Sequence, residues 1–344
     1  MKCFINIVGF VYAIGIAALF GKSDASSVYI PGTFGYSFSQ GLARIFDSRY
    51  SAYPPNKERE FHGKFGYIDR AGRLVIPFLY DSAGDFSQGL AFVAVWKENS
   101  LKYGYVNLDG KMILPLSYDD ARSFSEAVAP VKINDKWGYI DTNGKIVVEP
   151  RYFEASSFSD GLAYVQTKQR EWGYIDRKGD VVIQVPNGLR WDFSEGLTVG
   201  PELESTMMDH KGKIHLTFDR AFQPVKSFSE GLITISRGAS SKKVIQTLYG
   251  FGSASGEVVI PCIYQIVFPF SEGLAAVSKD GSKFGFIDTN GHLVLPYIYT
   301  AERFMDSDQQ IIFSEGLAFV QGGYINRRGD WVFRILEPIA PLEK

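Results

Sequence analysis

Carboxylates recur along this chain at positions where an enzyme could use them. Asp69, Asp141, Asp176 and Asp288 close an aromatic-Gly-aromatic-Ile phrase, and Asp209 closes its degenerate form, Ser-Thr-Met-Met. A second series, Glu126, Asp160, Glu195, Glu230, Glu272 and Glu315, follows a Phe-Ser pair. Paired acids could serve as general acid and base, and a dense group of them could hold a hard cation. Neither use fits. Asn107 and Asn326 stand in the first series and Gln40 and Gln88 in the second, so the position calls for turn closure through a hydrogen bond and not for a charge. One carboxylate per turn also falls short of the ligand set that calcium needs.

Other chemistry is equally thin. The histidines His62, His210, His215 and His292 show no zinc spacing with a second ligand, so they read as surface or turn residues. Serines recur in Phe-Ser pairs without a companion histidine, and neither a Gly-x-Ser-x-Gly elbow nor a phosphate loop is present. No catalytic residue, metal or cofactor is assigned. The aromatics Phe65, Tyr103, Trp137, Trp172, Tyr249 and Phe284 share one repeat position. They could form stacking platforms for glycan rings, but free exchange among Trp, Tyr and Phe favours a packed spine. Tyr50, Tyr53, Trp96 and Trp191 lie off the pattern, the first three in two joints that carry insertions. Inserted loops tend to carry a repeat protein's specificity, so Tyr50, Tyr53 and Trp96 are the candidate binding residues.

The elements that must position these residues are written in a repeat. The Phe-Ser-x-Gly-Leu-Ala phrase has eight copies, beginning at Phe38, Phe86, Phe124, Phe158, Phe193, Phe228, Phe270 and Phe313. Behind each comes a phrase such as "KWGYID", worn to "STMMD" and "YGFGS" in two units, and then a turn ending in Gly72, Gly110, Gly144, Gly179, Gly212, Gly256, Gly291 or Gly329. Asp-x-x-Gly fits a type I turn whose glycine takes the left-handed position. An apolar run often ended by Pro follows. Each unit of about 35 residues therefore reads as three short strands. A compact connector with a turn of helix follows, and its terminal aromatic, Phe86 or Phe124, is expected to plug the joint with the neighbouring unit.

The phrases "KWGYIDTNGKIVVEP" and "SFSDGLAYV" resemble the repeat of bacterial WG-repeat (KWG-repeat) proteins from about Phe38 to Pro338. The resemblance implies an all-β repeat array, commonly exported, with no general enzymatic activity and no catalytic residue to carry over. Gly322 stands where the last unit should have an aromatic, and the unit from Phe193 lacks its aromatic-Gly pair.

A three-stranded unit cannot bury its apolar face alone, so neighbours must stack. Irregular spacing and worn units favour an open superhelical array, solenoid-like, over a closed β-propeller ring, which needs blades of similar angle. In the alternative, "SVYIP" ahead of the first unit supplies a strand that seals the ring.

Lys2, the apolar run Phe4 to Phe20 and Ser23-x-Ala25 read as a signal peptide over 1–25, leaving a single domain over 26–344. An uncleaved anchor is the alternative. Cys3 lies in the leader and Cys262 is alone, so the mature chain has no internal disulfide. The 36 basic and 38 acidic residues are evenly spread, which excludes a nucleic-acid footprint and leaves no membrane affinity after cleavage. The expectation is an exported, periplasmic or surface-located, non-catalytic binding or scaffold protein with a protein or envelope-glycan partner. An enzyme with a site built from inserted loops is the remote alternative.

Overall fold

The computed structural model describes residues 27–28, 33–47, 63–97, 100–168, 171–185, 192–199, 206–219, 221–241, 244–300 and 310–335. All the elements in them are strands, arranged as eight sheets in chain order. The third sheet shows the plan: Asp120–Ala121, Val128–Ile133, Lys136–Asp141 and Ile146–Tyr152 pair in succession as an antiparallel meander.

The reading of three strands and a helical connector is corrected here. The connector supplies a fourth strand, only two residues long in Ser82–Ala83, Asp120–Ala121, Glu154–Ala155 and Ile266–Val267. A pairing this short is below the length at which alternation becomes visible in a sequence. The fifth sheet keeps three strands, Leu197–Val199, Thr206–Asp209 and Ile214–Thr217.

Pro does not end the last strand either. Ile146–Tyr152 runs through Pro150. Trp137 pairs with Tyr152 and Tyr139 with Val148, so Gly138 alone faces Glu149, Pro150 and Arg151. A bulge is where a residue without an N–H can sit inside a strand, since no ladder bond is lost. The bulged backbone crosses directly over the glycine: a Cβ at Gly138 would lie 2.6 Å from the Val148 carbonyl oxygen. The Gly of the Trp-Gly pair and the Pro of the following run are thus two halves of one feature, repeated at Gly66, Gly104, Gly250 and Gly285.

The chain closes into a ring, and the open array is overturned. Ser27–Val28 pairs in parallel with Arg334–Ile335 at the edge of the eighth sheet. The Gly41 N–H of the first sheet donates to the Glu315 carboxylate of the last, at 2.9 and 3.1 Å. Tyr324 donates to the Tyr36 carbonyl at 2.6 Å. One buried cluster joins Phe38, Ala43 and Ile45 to Leu317, Tyr324 and Phe333. The molecule is an eight-bladed β-propeller, with the "SVYIP" segment supplying the sealing strand. Unequal spacing does not prevent closure: in the sixth sheet the extra length extends one hairpin, the ten-residue strands Leu232–Ser241 and Val244–Ser253, and leaves the buried clusters with both neighbouring blades in place.

The core sits between blades. Eight buried clusters fill the eight interfaces around the ring. Seven of them carry the Phe of Phe-Ser-x-Gly against the repeat Tyr or Phe of the preceding blade: Tyr67–Phe86, Tyr105–Phe124, Tyr139–Phe158 and Tyr174–Phe193 all have ring centroids 4.9 Å apart. Edge-to-face pairs of this kind add about 0.5–1.5 kcal/mol beyond area burial. In the worn fifth blade Met207 takes the tyrosine's place, fully buried in the cluster that holds Phe228; its unbranched thioether fills the gap.

Candidate functional site

The propeller has two unlike faces. Strand order places the Phe-Ser-x-Gly and Asp-x-x-Gly turns on one face, and the remaining joints on the other. The turn face is uniform. In each Phe-Ser-x-Gly turn the x residue and its follower both have positive φ, as in Gln88 (54°) and Gly89 (82°). This is the two-residue hairpin geometry whose twist matches the strands. In the third blade Ala127 (67°) holds the glycine position.

The x side chain then accepts a hydrogen bond from the N–H of the next blade's turn. Gln40 accepts from Gly89 at 2.7 Å, Gln88 from Ala127 at 2.8 Å, Glu126 from Gly161 at 3.0 Å and Asp160 from Gly196 at 2.8 Å. Glu195, Glu230, Glu272 and Glu315 accept from Gly231, Gly273, Gly316 and Gly41, each with a 2.9–3.0 Å contact. The relay runs the whole circle without a gap. An amide oxygen serves as well as a carboxylate, which explains the Glu–Gln exchange seen in the sequence. Serine hydroxyls add an inner set, Ser39 to the Phe86 carbonyl and Ser314 to the Phe38 carbonyl, both at 2.5 Å.

The Asp series is equally committed. Asp141 Oδ1 accepts from the Asn143 and Lys145 N–H groups at 2.9 Å, and Asn326 accepts from Arg328 and Asp330 in the same way. Gly72, Gly110, Gly144, Gly179, Gly212, Gly256, Gly291 and Gly329 end these turns with φ between 75° and 86°. His215 pairs with Asp209 at 2.5 Å and holds its carboxyl down to about 2, and His292 pairs with Asp288 at 3.2 Å. His210 packs on Phe193, with centroids 4.7 Å apart. Among the described residues no group of three or more His, Cys, Asp or Glu could hold a metal. His62 lies outside the described residues.

The repeat aromatics are packed to different depths. Trp137 and Phe284 are 2% and 1% exposed, Phe65 leans on Phe46 at 4.8 Å, and Trp172 stacks nearly parallel on Tyr164 at 5.0 Å.

All the length variation of the chain falls on the opposite face. The joints 48–62 and 242–243 connect second and third strands, 200–205 connects the first two strands of the three-stranded fifth sheet, and 186–191 and 301–309 connect one blade to the next. Trp96 stands at this face near the end of Leu90–Lys97, 42% exposed, its backbone N–H donating to Asp81 Oδ2 at 3.0 Å. Tyr50, Tyr53, Trp191, Cys3 and the expected signal peptide over 1–25 lie outside the described residues.

A second feature escaped the sequence. Three consecutive blades, the third to the fifth, enclose a cleft of about 180 Å³ lined by Arg122, Glu154, Ser156, Tyr164, Trp172 and Asp192. Arg122 lies 3.6 Å from Glu154 and over the Trp137 ring at 4.9 Å. Burial pushes the Asp192 carboxyl up, while a hydrogen bond from Ser156 and the Arg122 charge oppose it. The available signal was position: Arg122, Ser156 and Asp192 all come one or two residues before the Phe-Ser phrase, where Phe268-Pro269 and Ile311-Ile312 stand in later units.

Among solved structures the chain is similar to BamB from Moraxella catarrhalis, at 11% identity over 78% of this chain and 85% of that one, with a TM-score of 0.44. It is also similar to the β-propeller domain of the Trilobed protease from Pyrococcus furiosus, at 12% identity over 80% and 86%, with a TM-score of 0.40. Against the acylaminoacyl peptidase of Pyrococcus horikoshii, at 11% identity and a TM-score of 0.44, 86% of this chain covers only 51% of that one. No curated protein matches the chain. The WG containing repeat matches at residues 65–95, 103–137, 137–169, 172–185, 249–282 and 284–301. With the Gly-Pro bulge and the inter-blade aromatic pair accounting for that motif, the chain belongs to the WG-repeat family.

Proposed function

We propose that this protein is a non-catalytic binding or scaffold propeller that engages a macromolecular partner through its variable face, outside the cytoplasm. The observation that carries the reading is the asymmetry of the ring. One face is locked by a circular relay of turn hydrogen bonds, and every irregular joint, with the exposed Trp96, gathers on the other. Exposed aromatic rings suit partner contact, since they combine large area with few torsions to freeze. Tyr50 and Tyr53 belong in sequence to the 48–62 joint that links the strands Leu42–Asp47 and Lys64–Asp69. A protein partner fits better than a glycan ladder along the repeat, because Trp137 and Phe284 are too deeply packed to offer a ring face. Export with cleavage near Ala25 is part of this proposal, motivated by Lys2, the apolar run and Ser23-x-Ala25.

The test compares two variants against a partner captured from envelope extracts. Tyr53→Ala with Trp96→Ala should keep the fold and lose the partner, while Trp137→Leu should lose stability first. The reverse pattern would move the binding surface onto the repeat aromatics. Mass measurement of the exported protein checks processing, and a full-length species fixed in membranes would contradict it.

A further inference from the structure

The cleft between the third, fourth and fifth blades goes beyond this reading and stands independently of it. From its lining we propose that it is a small-ligand site that binds a single neutral sugar ring. The size comes first. At about 180 Å³ the cleft is below the 300–1,000 Å³ range of drug-sized pockets, which leaves room for one ring and no more. The chemistry of the walls comes next. One guanidinium, Arg122, and two carboxylates, Glu154 and Asp192, line the same space together with Ser156, whose hydroxyl accepts from the Tyr164 N–H at 2.9 Å and bonds to Asp192. A free anion meets two carboxylates here, and a free cation meets Arg122, already within 3.6 Å of Glu154. A neutral polyol meets neither penalty, and it can donate hydroxyls to the acids while accepting from the guanidinium.

The remaining wall is aromatic. Trp172 and Tyr164 lie nearly parallel, with an interplanar angle of 12°, and both line the cleft. A pyranose has one face of C–H groups and an edge of hydroxyls, which matches the half-buried Trp172 ring, backed by the buried Tyr164, beside a wall of charged groups. The site is peculiar to this part of the ring. The seventh and eighth blades place Phe268 or Ile311 where Arg122 stands and Pro269 or Ile312 where Asp192 stands; the second blade has Asp85 at the Asp192 position, but Gly84 replaces the arginine and Asp85 pairs with Arg44 at 3.3 Å. Trp172 is a repeat aromatic that the neighbouring departures from the repeat have left beside a polar opening.

The experiment titrates the full chain with neutral methyl pyranosides, with lysine amide as a cation and with glucuronate as an anion, followed by protein NMR and calorimetry. The expected result is saturable binding of at least one neutral pyranoside, with a dissociation constant on the order of 1 mM and weaker or no binding of both charged probes. The Trp172 indole and Arg122 Nε–H resonances should shift on titration while those of the distant Trp331 stay fixed. Arg122→Gln and Asp192→Asn should each weaken binding roughly ten-fold or more. The resonance shifts in the parent chain decide the matter if either variant folds poorly. Absence of saturable binding by every neutral pyranoside, preference for lysine amide or glucuronate, or shifts that spare Trp172 and Arg122 would each overturn the proposal. None of these results depends on Trp96 or the 48–62 joint, so failure here leaves the partner-binding reading intact, and the converse holds.

Discussion

Replacing Gly138 with Ala is expected to destabilise the protein by about 1–2 kcal/mol net. In an ordinary strand the same change would be favourable by roughly 0.5–1 kcal/mol, because glycine loses more freedom on folding. Here the added carbon would stand 2.6 Å from the Val148 carbonyl oxygen, 2.7 Å from Pro150 N and 2.9 Å from Pro150 Cα. All three are backbone atoms, so no rotamer change relieves the contact. The outer strand must move by about half an ångström or more to restore normal separation, against the pairings Trp137–Tyr152 and Tyr139–Val148 that flank the bulge. Overpacking of this kind costs about 1–3 kcal/mol, which outweighs the entropic gain. Gly238→Ala is the internal control: it lies in the strand Leu232–Ser241, and a Cβ there meets nothing within 4 Å. Thermal unfolding followed by circular dichroism measures both. For a chain of this size 1 kcal/mol moves Tm by about 1.5 °C, so Gly138→Ala should melt lower by roughly 1.5–3 °C while Gly238→Ala is unchanged or higher. If Gly138→Ala melts with the parent, the account of the Trp-Gly motif as one half of a proline bulge is wrong.

Glu315→Gln should leave stability unchanged, as Gln40 and Gln88 already act as acceptors in the relay, whereas Glu315→Ala should cost about 1 kcal/mol and speed hydrogen exchange at Gly41, whose N–H it accepts. Tyr139→Phe should cost about 1 kcal/mol by removing the 2.8 Å hydrogen bond to the Ser156 carbonyl, with the fold preserved because Phe251 and Phe286 hold this position in other blades. Burial raises the phenols of Tyr67, Tyr105, Tyr139 and Tyr324. The unfolded chain therefore releases these protons first, and stability should fall as pH rises above about 10, with the tyrosinate absorbance of these four residues appearing only as the protein unfolds. Burial also pushes the Cys262 thiol up to about 11, so in a Cys3→Ser chain alkylation at pH 8 should be slow in the folded protein and rapid after denaturation.

What the sequence made legible was local. Asp141 to Gly144 spells its turn because the acceptor and the left-handed glycine are adjacent in the chain, and the interchangeable aromatics pointed to packing because a core tolerates such swaps. Closure was not legible. It depends on the angle accumulated over eight sheets and on contacts such as Glu315 with Gly41, separated by 274 residues. The two-residue strand Glu154–Ala155 was read as connector because it is too short to show alternation, and the Pro150 bulge because a proline in an apolar run is indistinguishable from a strand end. The cleft was hidden for another reason: Arg122, Trp172 and Asp192 are ordinary residues of three consecutive blades, and only the packing of those blades brings them to one opening.

Closure of the ring is the claim on which the rest depends, and a distance between spin labels in the first and last blades tests it most directly. In a chain without native cysteines, labels at Arg73 and Asp330 occupy equivalent turn positions of the first and eighth blades, as Lys111 and Lys145 do for the adjacent second and third. The account predicts the same distance for both pairs, because the first and eighth blades are neighbours. In an open array, with sheets stacked about 10 Å apart, the Arg73–Asp330 pair would lie roughly 70 Å apart, and a distance of that order would contradict the propeller.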